Sequence, residues 1–327
     1  MIVAGDIGGT NARLATFDVQ AGQLLLVKEL VYPSRSAPDL ESIARRFVEE
    51  ARPAATAVAL GVAGPVKNDR IETPNLPWVV DGRRLAEIFT VPKVTLLNDL
   101  KANAYGIRHL GPADFAVLQP GAHDATGNQA ILSAGTGLGC AGLYWDGQRH
   151  RPFATEGGHA DFAPRSHVEA ELMEDIAREK GRVSAERLLS GNGLVRIYRF
   201  LRQRSGVPEP EALAARFAKE DPAAVVSRSA LEQADPVCVQ ALDMFVSVYG
   251  AEAGNVALRM LATAGVFLGG GIAPKNLPAF KRNGLFMKAF LDKGRMRPLL
   301  ETVPVLVVLN DRAALWGAAH CAAFDES

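Results

Sequence analysis

A glycine-rich turn close to the start of the chain has the composition of a phosphate-binding loop. An apolar, strand-like run ends at Asp6, and Gly8-Gly9-Thr10-Asn11 follow it. Glycine lets backbone N–H groups crowd around phosphate oxygens, because no Cβ stands in the way. Thr10 and Asn11 add side-chain hydrogen bonds, and Asp6 can orient a water molecule on Mg²⁺. A hairpin turn that needs glycine only for a positive φ angle gives the same pattern, so the segment alone leaves both interpretations open.

A second turn of the same kind lies in mid-chain and contains Gly135, Thr136, Gly137 and Gly139. It connects two predicted strands, at 129–133 and 138–145. Neither turn fits the dinucleotide or P-loop fingerprint, because the third glycine spacing is absent and no Gly-Lys-Ser/Thr follows.

A third glycine cluster, Gly269-Gly270-Gly271, follows a predicted strand at 265–268. Its missing side chains would let an adenosine ring and ribose approach the backbone. One such cluster is a weak signal. Three clusters at strand ends, in this order, indicate a nucleotide clamp built from two lobes.

Asn98 and Asp99 lie at the carboxyl end of a predicted strand at 93–97, where ligands of α/β sheets usually bind. A carboxylate at this position can take the proton from an attacking sugar hydroxyl. Aspartate is also a preferred helix N-cap, and a helix is predicted to start near Leu100. From the residues alone, the capping role of Asp99 is favoured over the catalytic one.

Two carboxylates and an imidazole, Glu156, His159 and Glu186, have the side-chain types of a sugar pocket. Buried polar groups that hydrogen-bond hydroxyls penalise ligands that leave them unpaired. Glu186 is equally explained by the helix dipole, which favours acidic residues in a first turn, and His159 by a structural turn. No second His or Cys follows at ligand spacing, so we predict no metal site built from protein side chains.

The elements that must position these residues form a repeated α/β pattern. A three-strand meander is predicted at 2–6, 12–19 and 24–31, and a similar one at 129–133, 138–145 and 149–154. Apolar spacing predicts helices at 36–51, 82–89, 168–180, 236–262 and 312–324. Ser36 and Asp39 supply the start signal of the first helix. Asp81 is predicted to cap the second helix, and Ser166 with Glu169 to form a capping box for the third.

Composition excludes several classes of protein. The 36 basic and 36 acidic side chains give a net charge of +0, which argues against a nucleic-acid partner. The longest apolar run, at 303–309, is too short for a bilayer, and the N-terminus has no basic leader. Cys140, Cys238 and Cys321 lie far apart, which favours reduced thiols in a cytoplasmic protein without structural zinc.

These segments resemble the bacterial glucokinases of the hexokinase, actin and Hsp70 superfamily, over nearly the whole chain. The glycine turns are shared across that superfamily. The longer segments Glu156-Gly-Gly-His159-Ala-Asp-Phe-Ala-Pro and Val183-Ser-Ala-Glu186-Arg-Leu-Leu-Ser-Gly are much more specific. No cysteine follows His159, unlike the zinc loop of the related kinase–repressor family, which favours the zinc-free branch.

The resemblance implies ATP-dependent phosphorylation of glucose at its 6-hydroxyl, with Mg²⁺ bound together with the nucleotide. Asp99 would be the general base, and the sugar ligands would be Asn75, Asn98, Asp99, Glu156, His159 and Glu186. The nucleotide would be bound by Asp6, Gly8, Gly9, Thr10, Asn11, Gly135, Thr136, Gly137, Gly139, Gly270 and Gly271.

The implied fold is a two-domain α/β fold of the ribonuclease H-like actin/hexokinase ATPase type, with a cleft between the domains. The smaller domain would comprise 1–110 plus about 309–327, and the larger one 111–308. A homodimer is also implied.

Two alternatives stay open. A kinase of the same fold can act on another hexose or an N-acetylhexosamine, because one hydroxyl contact redirects preference. A sugar-sensing regulator would need a DNA-binding helix-turn-helix ahead of the first glycine turn, and only five residues precede Asp6.

Overall fold

The computed structural model of the chain describes residues 1–73 and 76–324. The chain divides into two compact units. Unit 1 contains Met1–Asp114, Arg151–Ala154 and the described residues from Asn310 onward; unit 2 contains Phe115–His150 and Thr155–Leu309.

The strands, in chain order, are β1 (Ile2–Ile7), β2 (Asn11–Gln20), β3 (Gln23–Pro33), β4 (Ala57–Val62), β5 (Arg70–Glu72), β6 (Val79–Asp81), β7 (Val94–Asn98), β8 (Phe115–Gln119), β9 (Gln129–Ala134), β10 (Leu138–Trp145), β11 (His150–Thr155), β12 (Gly265–Gly269) and β13 (Val305–Val308).

The α-helices are α1 (Leu40–Ala51), α2 (Gly82–Phe89), α3 (Asp99–Gly106), α4 (His167–Lys180), α5 (Gly191–Ser205), α6 (Glu211–Phe217), α7 (Pro222–Leu231), α8 (Pro236–Met260), α9 (Ile272–Lys275), α10 (Leu277–Lys281), α11 (Leu285–Leu291), α12 (Arg297–Glu301) and α13 (Ala313–Phe324). Among the described residues, no helix is long and apolar enough to cross a membrane.

The main sheets of the two units share one topology. The unit 1 sheet has the order β3-β2-β1-β4-β7, and the second sheet has the order β11-β10-β9-β12-β13-β8. In both, an antiparallel hairpin (β1 with β2, β9 with β10) is followed by two strands added in parallel. The predicted duplication is therefore confirmed. Strand β8 extends the second sheet beyond the repeat, and β5 with β6 forms a separate small sheet.

Helix starts follow the capping rules with one shift. The Asp81 carboxylate accepts from Arg83 N at 2.9 Å, so the predicted cap of α2 is confirmed. Ser166 Oγ accepts from Glu169 N at 3.2 Å and caps α4, as predicted. The Glu169 carboxylate accepts from Arg165 N at 2.7 Å, one residue before the partner that the predicted capping box requires. Of the two predicted start signals of α1, Asp39 is confirmed, because its carboxylate accepts from Ser42 N at 2.8 Å; the predicted bound at Ser36 is wrong, since the helix begins at Leu40.

Helix α3 is fixed against α13 by close backbone contact inside unit 1. A Cβ at Gly106 of α3 would collide with the carbonyl oxygen of Ala313, and a Cβ at Gly317 of α13 would collide with that of Ala102. The missing side chains let the two helices approach to backbone contact. This packing holds the first turn of α3, where Asp99 lies, at the end of β7.

In unit 2, helix α8 holds the end of strand β9 in place. The buried Tyr249 hydroxyl donates to Leu132 O at 2.9 Å and accepts from Ala134 N at 3.2 Å. These two bonds tie the helix to the last residues of β9, directly before the second glycine turn. Buried polar groups whose partners are satisfied rigidify the structure around them.

Candidate active site

The first glycine turn connects β1 to β2. Gly8 N donates to Asn11 O at 2.9 Å, which closes the turn. Neither Gly8 nor Gly9 has a positive φ, so the interpretation as a turn that needs glycine for its φ angle is wrong. A Cβ at Gly8 would lie 3.4 Å from Asn11 O, an ordinary contact. The backbone therefore does not demand glycine here, and the absent side chain leaves room for a ligand.

Ser34 holds this turn in place with two hydrogen bonds. Its hydroxyl donates to Gly8 O at 2.7 Å, and its backbone N–H donates to Thr10 O at 2.9 Å. The side chain is fully buried. With both carbonyls engaged, the N–H groups of the turn are held in one orientation, which is what a phosphate cradle requires.

We expect Ser34→Ala to cost about 1–3 kcal/mol of folding free energy, because Gly8 O loses its partner in a buried setting. The KM for ATP should rise as the turn loosens. Ser36→Ala is the matched control: Ser36 Oγ donates to Pro33 O at 2.6 Å from the same short 3-10 turn, but its side chain is exposed. Thermal melts and ATP titrations measure both effects. Equal behaviour of the two variants would show that Ser34 does not support the turn.

Asp6, at the end of β1, lies in a cluster of charges. Its strand partner is Arg13, which is bonded to Asp311 at 3.0 Å and lies 3.3 Å from Glu29. Burial raises the pKa of Asp6 from 3.8 to about 6. Arg13 opposes that rise, while the negative charges of Asp99 and Asp311 add to it. Asp99 is thus close enough for its charge to affect the ionisation of Asp6.

The structure corrects the capping interpretation of Asp99. The residue that caps α3 is Asn98, whose Oδ1 accepts from Leu100 N at 3.0 Å and from Lys101 N at 3.3 Å. Asn98 Nδ2 donates to Gly64 O at 3.1 Å. Asp99 is the first residue of the helix, and its Oδ1 accepts from Leu100 N at 2.9 Å. The N-cap of α3 is therefore Asn98, and Asp99 shares the N–H of Leu100 with it. The predicted sugar contact of Asn98 stays a prediction, and Asn75 lies outside the described residues.

The second glycine turn is closed by a bond from Gly135 N to Gly137 O at 2.9 Å. Gly135 O accepts from Gly191 N, also at 2.9 Å, so the turn adjoins the first residue of α5. A helix N-terminus presents unpaired N–H groups and partial positive charge, which suit an anion. An added Cβ at Gly135 would have nothing within 4 Å, so the fold leaves open space there.

The third glycine cluster lies beside the second. Gly269 ends β12 opposite Ser133 of the parallel strand β9, so both strands end at the same edge of the sheet. Gly270 has φ +76°, and a Cβ there would collide with Ala134 O. At this position the fold itself demands glycine, in contrast to Gly135. Within unit 2, the structure thus brings two of the three predicted glycine clusters together.

Glu156, His159 and Glu186 also come together in unit 2, and we call them the polar cluster. His159 Nε2 lies 3.9 Å from Glu156 Oε2, and His159 Nδ1 lies 3.8 Å from Glu186 Oε1. The side chains of Glu156, His159 and Glu186 are 70%, 55% and 31% exposed, respectively. The short 3-10 turn that carries His159 is held against β10, since a Cβ at Gly158 would collide with Leu138 O. Exposed carboxylates around an imidazole can bind the hydroxyls of a polyol.

Arg13 and Ser34 are site residues that sequence reasoning missed. The register of a hairpin closed at Ile7 and Ala12 places residue 13 opposite residue 6, so counting across the predicted turn would have found Arg13. Nothing in the local sequence marks Ser34, because its partners are brought to it only by the fold.

Comparison with solved structures defines the class of protein. The chain matches a glucokinase from an Antarctic psychrotroph with a TM-score of 0.84 and 29% identity, covering 98% of each chain. It also has the fold of a ROK family glucokinase from Streptomyces griseus in complex with glucose and AMPPNP (TM-score 0.66, 22% identity, 98% of each chain). Fold and site together define a sugar kinase with the actin/hexokinase ATPase fold.

Sequence comparison identifies the family. The glucokinase family model matches residues 3–324. A glucokinase of Synechocystis sp. (strain ATCC 27184 / PCC 6803 / Kazusa) is 42% identical, over 98% of this chain and 97% of its own length. A glucokinase of Trichormus variabilis is 41% identical over 99% of both chains. The chain belongs to the glucokinase family.

Proposed function

We propose that the protein transfers the γ-phosphoryl group of ATP to the 6-hydroxyl of glucose, giving glucose 6-phosphate. The observation that carries this proposal is the polar cluster, which lies beside the second glycine turn in unit 2. Hydroxyl-binding groups and a phosphate-type turn in direct contact suit a sugar kinase, whose sugar and nucleotide react with each other. Family membership over nearly the whole chain supports the same reaction.

Asp99 is the general base of the proposed reaction. It accepts the proton of the 6-hydroxyl as that oxygen attacks the γ-phosphorus, and the bond from phosphorus to the β,γ-bridging oxygen breaks. The carboxylate is held in the first turn of α3 while Asn98 performs the capping. Glu156, His159 and Glu186 bind other hydroxyls of the sugar, and their spacing sets which sugars are accepted. Asn75 and Asn98 complete the proposed set of sugar ligands.

The glycine clusters bind the nucleotide. The N–H groups around Gly8–Asn11 and Gly135–Gly139 donate to phosphate oxygens, and Gly270 and Gly271 lie against the adenosine. The first turn is held by Ser34, and the second by Gly191 at the start of α5. The S. griseus ROK family glucokinase was crystallised with glucose and AMPPNP, which supports both ligands here.

A magnesium ion would enter with the nucleotide. Burial and the charges of Asp99 and Asp311 make the ionised form of Asp6 unfavourable, and a nearby divalent cation would relieve that cost. Among the described residues, no group of three or more His, Cys, Asp or Glu side chains could hold a metal. Phosphate oxygens and water would therefore supply most ligands, with Asp6 orienting a water molecule. The ion would neutralise charge on the transferring phosphoryl group.

ADP release by the purified protein with MgATP, measured across a panel of hexoses, tests this function. We expect release with glucose well above the sugar-free rate, and slower release with mannose, fructose and N-acetylhexosamines. Faster turnover of one of those sugars would assign a related kinase instead. No sugar-dependent release with ATP or with polyphosphate would contradict catalysis.

We also propose a homodimer in the cytoplasm. The three described cysteines are buried free thiols, which suits a reducing compartment. Light scattering of the purified protein measures the oligomeric state, and the mass of one chain, 34.9 kDa, would contradict the dimer.

A further inference from the structure

One member of the polar cluster also contacts the second glycine turn. Glu186 Oε2 accepts a hydrogen bond from Leu138 N at 3.0 Å. Leu138 begins β10 and directly follows Gly137. The other oxygen, Oε1, lies 3.8 Å from His159 Nδ1. One oxygen of the Glu186 carboxylate therefore faces the proposed sugar ligand His159, and the other accepts a hydrogen bond from the second glycine turn.

The space at Gly137 is shaped around this carboxylate. A Cβ at Gly137 would lie 2.5 Å from Glu186 Oε2 and 3.3 Å from Glu186 Cδ, whereas a Cβ at Gly135 would have nothing within 4 Å. Neither glycine has a positive φ, so the backbone accepts alanine at both positions. At Gly137, however, the added Cβ would be too close to the Glu186 carboxylate. The carboxylate would have to move, and it can do so because it is the flexible end of a side chain.

We propose that Glu186 positions the second glycine turn in addition to binding the sugar, so that sugar binding and nucleotide binding are coupled through this side chain. This inference rests on the proposed function. A hydroxyl bound at Oε1 restricts the carboxylate and so stabilises the bond from Leu138 N at Oε2. The coupling is reciprocal, since any gain in nucleotide affinity caused by the sugar equals the gain in sugar affinity caused by the nucleotide.

Nucleotide binding in the absence of sugar provides the first test. Titrating AMPPNP with Mg²⁺ into Glu186→Ala should show affinity about three- to tenfold weaker than wild type, the usual effect of one lost hydrogen bond. Glu156→Ala is the matched control, because Glu156 lies on the other side of His159 and is 70% exposed. Its AMPPNP affinity should equal that of the wild type. Equal affinities for all three proteins would overturn the positioning role.

Glucose binding in the absence of nucleotide provides the second test and needs no change at Glu186. Calorimetric titration of Gly137→Ala should show glucose affinity reduced about three- to tenfold, because the added methyl group displaces the carboxylate. Gly135→Ala, two residues away, should bind glucose as the wild type does. Thermal melts of both variants check that the fold is retained. Wild-type glucose affinity in Gly137→Ala would contradict the inference.

The wild-type titrations separate failure of the inference from failure of the proposed function. A wild-type protein that binds neither AMPPNP nor glucose contradicts the function itself. A wild-type protein that binds both, with Glu186→Ala and Gly137→Ala indistinguishable from their controls, refutes only the coupling.

Discussion

Asp99→Asn is expected to lower turnover by about 10²–10⁴-fold, the usual contribution of a general base. The amide has nearly the same shape but does not accept the hydroxyl proton at neutral pH. Because Asn98 provides the cap of α3, and the amide oxygen of asparagine can still accept from Leu100 N, the helix should remain folded in this variant. Glucose affinity should be retained, so the loss should fall on kcat. Steady-state kinetics with a parallel glucose titration make this measurement.

Asp81→Asn is the control for this variant. Asp81 also lies at a helix start in unit 1, where asparagine caps as well as aspartate. The change removes its ion pair with Arg70, whose side chain is 55% exposed, so the effect on stability should be small. Turnover of Asp81→Asn should be that of the wild type. Near-wild-type turnover in Asp99→Asn would exclude Asp99 as the base.

Asp6→Asn is expected to stabilise the ligand-free protein at neutral pH while lowering its activity. The pKa of Asp6 is about 6 in the folded protein against 3.8 as the ordinary value. Between those values the folded protein binds more protons than the unfolded chain, so stability falls as the pH rises from about 4 to about 6. Asparagine does not ionise and avoids that loss. Above pH 7 the gain should approach about 3 kcal/mol as an upper bound.

The pH profile separates this effect from a general change in packing. Denaturant unfolding of wild type and Asp6→Asn should give equal free energies below about pH 4 and diverge as the pH rises through 6. Asp311→Asn should behave in the opposite way. The hydrogen bond from Arg13 holds the pKa of Asp311 below its ordinary value, so its contribution is present at neutral pH and lost on acidification. A constant difference between wild type and Asp6→Asn at all pH values would contradict this account.

A stabilising substitution at Asp6 would also show why an aspartate at this position is unfavourable without a ligand. Ionising this carboxylate costs folding free energy, first because it is buried and then because Asp99 and Asp311 are near, and a divalent cation entering with the nucleotide would offset that cost. Stability and activity oppose each other at such positions. The expected result for Asp6→Asn is therefore a protein with a higher melting temperature and lower turnover.

Helices and strands could be predicted where residues close together in the sequence determine them. The alternating strands and their turn residues predicted both meanders, and the Asp81 cap predicted the start of α2. At Asn98 and Asp99 the same rules failed, because both residues are good caps and adjacent in sequence. Which of the two residues caps α3 depends on where β7 ends. Strand β7 continues through Asn98, so Asn98 is the cap and Asp99 is the first residue of the helix. Strands β5 and β6 have three residues each, which is too short for a periodic pattern.

The sequence identified most residues of the candidate site but not the hydrogen bonds that join them. The glycine turns and the polar cluster are marked by residue type and by segments shared with a family. The bond between Glu186 and Leu138 joins residues 48 positions apart, and the bond from Ser34 to Gly8 spans 26. Contacts at such separations are set by the packing of the sheet and its neighbouring elements. Neither the composition nor the residue spacing of the sequence indicates these contacts.

The central claim, a phosphoryl transfer to glucose that depends on Asp99, is tested most directly by ³¹P NMR of the reaction with MgATP and glucose. We predict one glucose 6-phosphate for each ADP formed by the wild-type protein, and almost none by Asp99→Asn at the same protein concentration. ADP without sugar phosphate, phosphate on another hydroxyl, or equal product from Asp99→Asn would contradict the account.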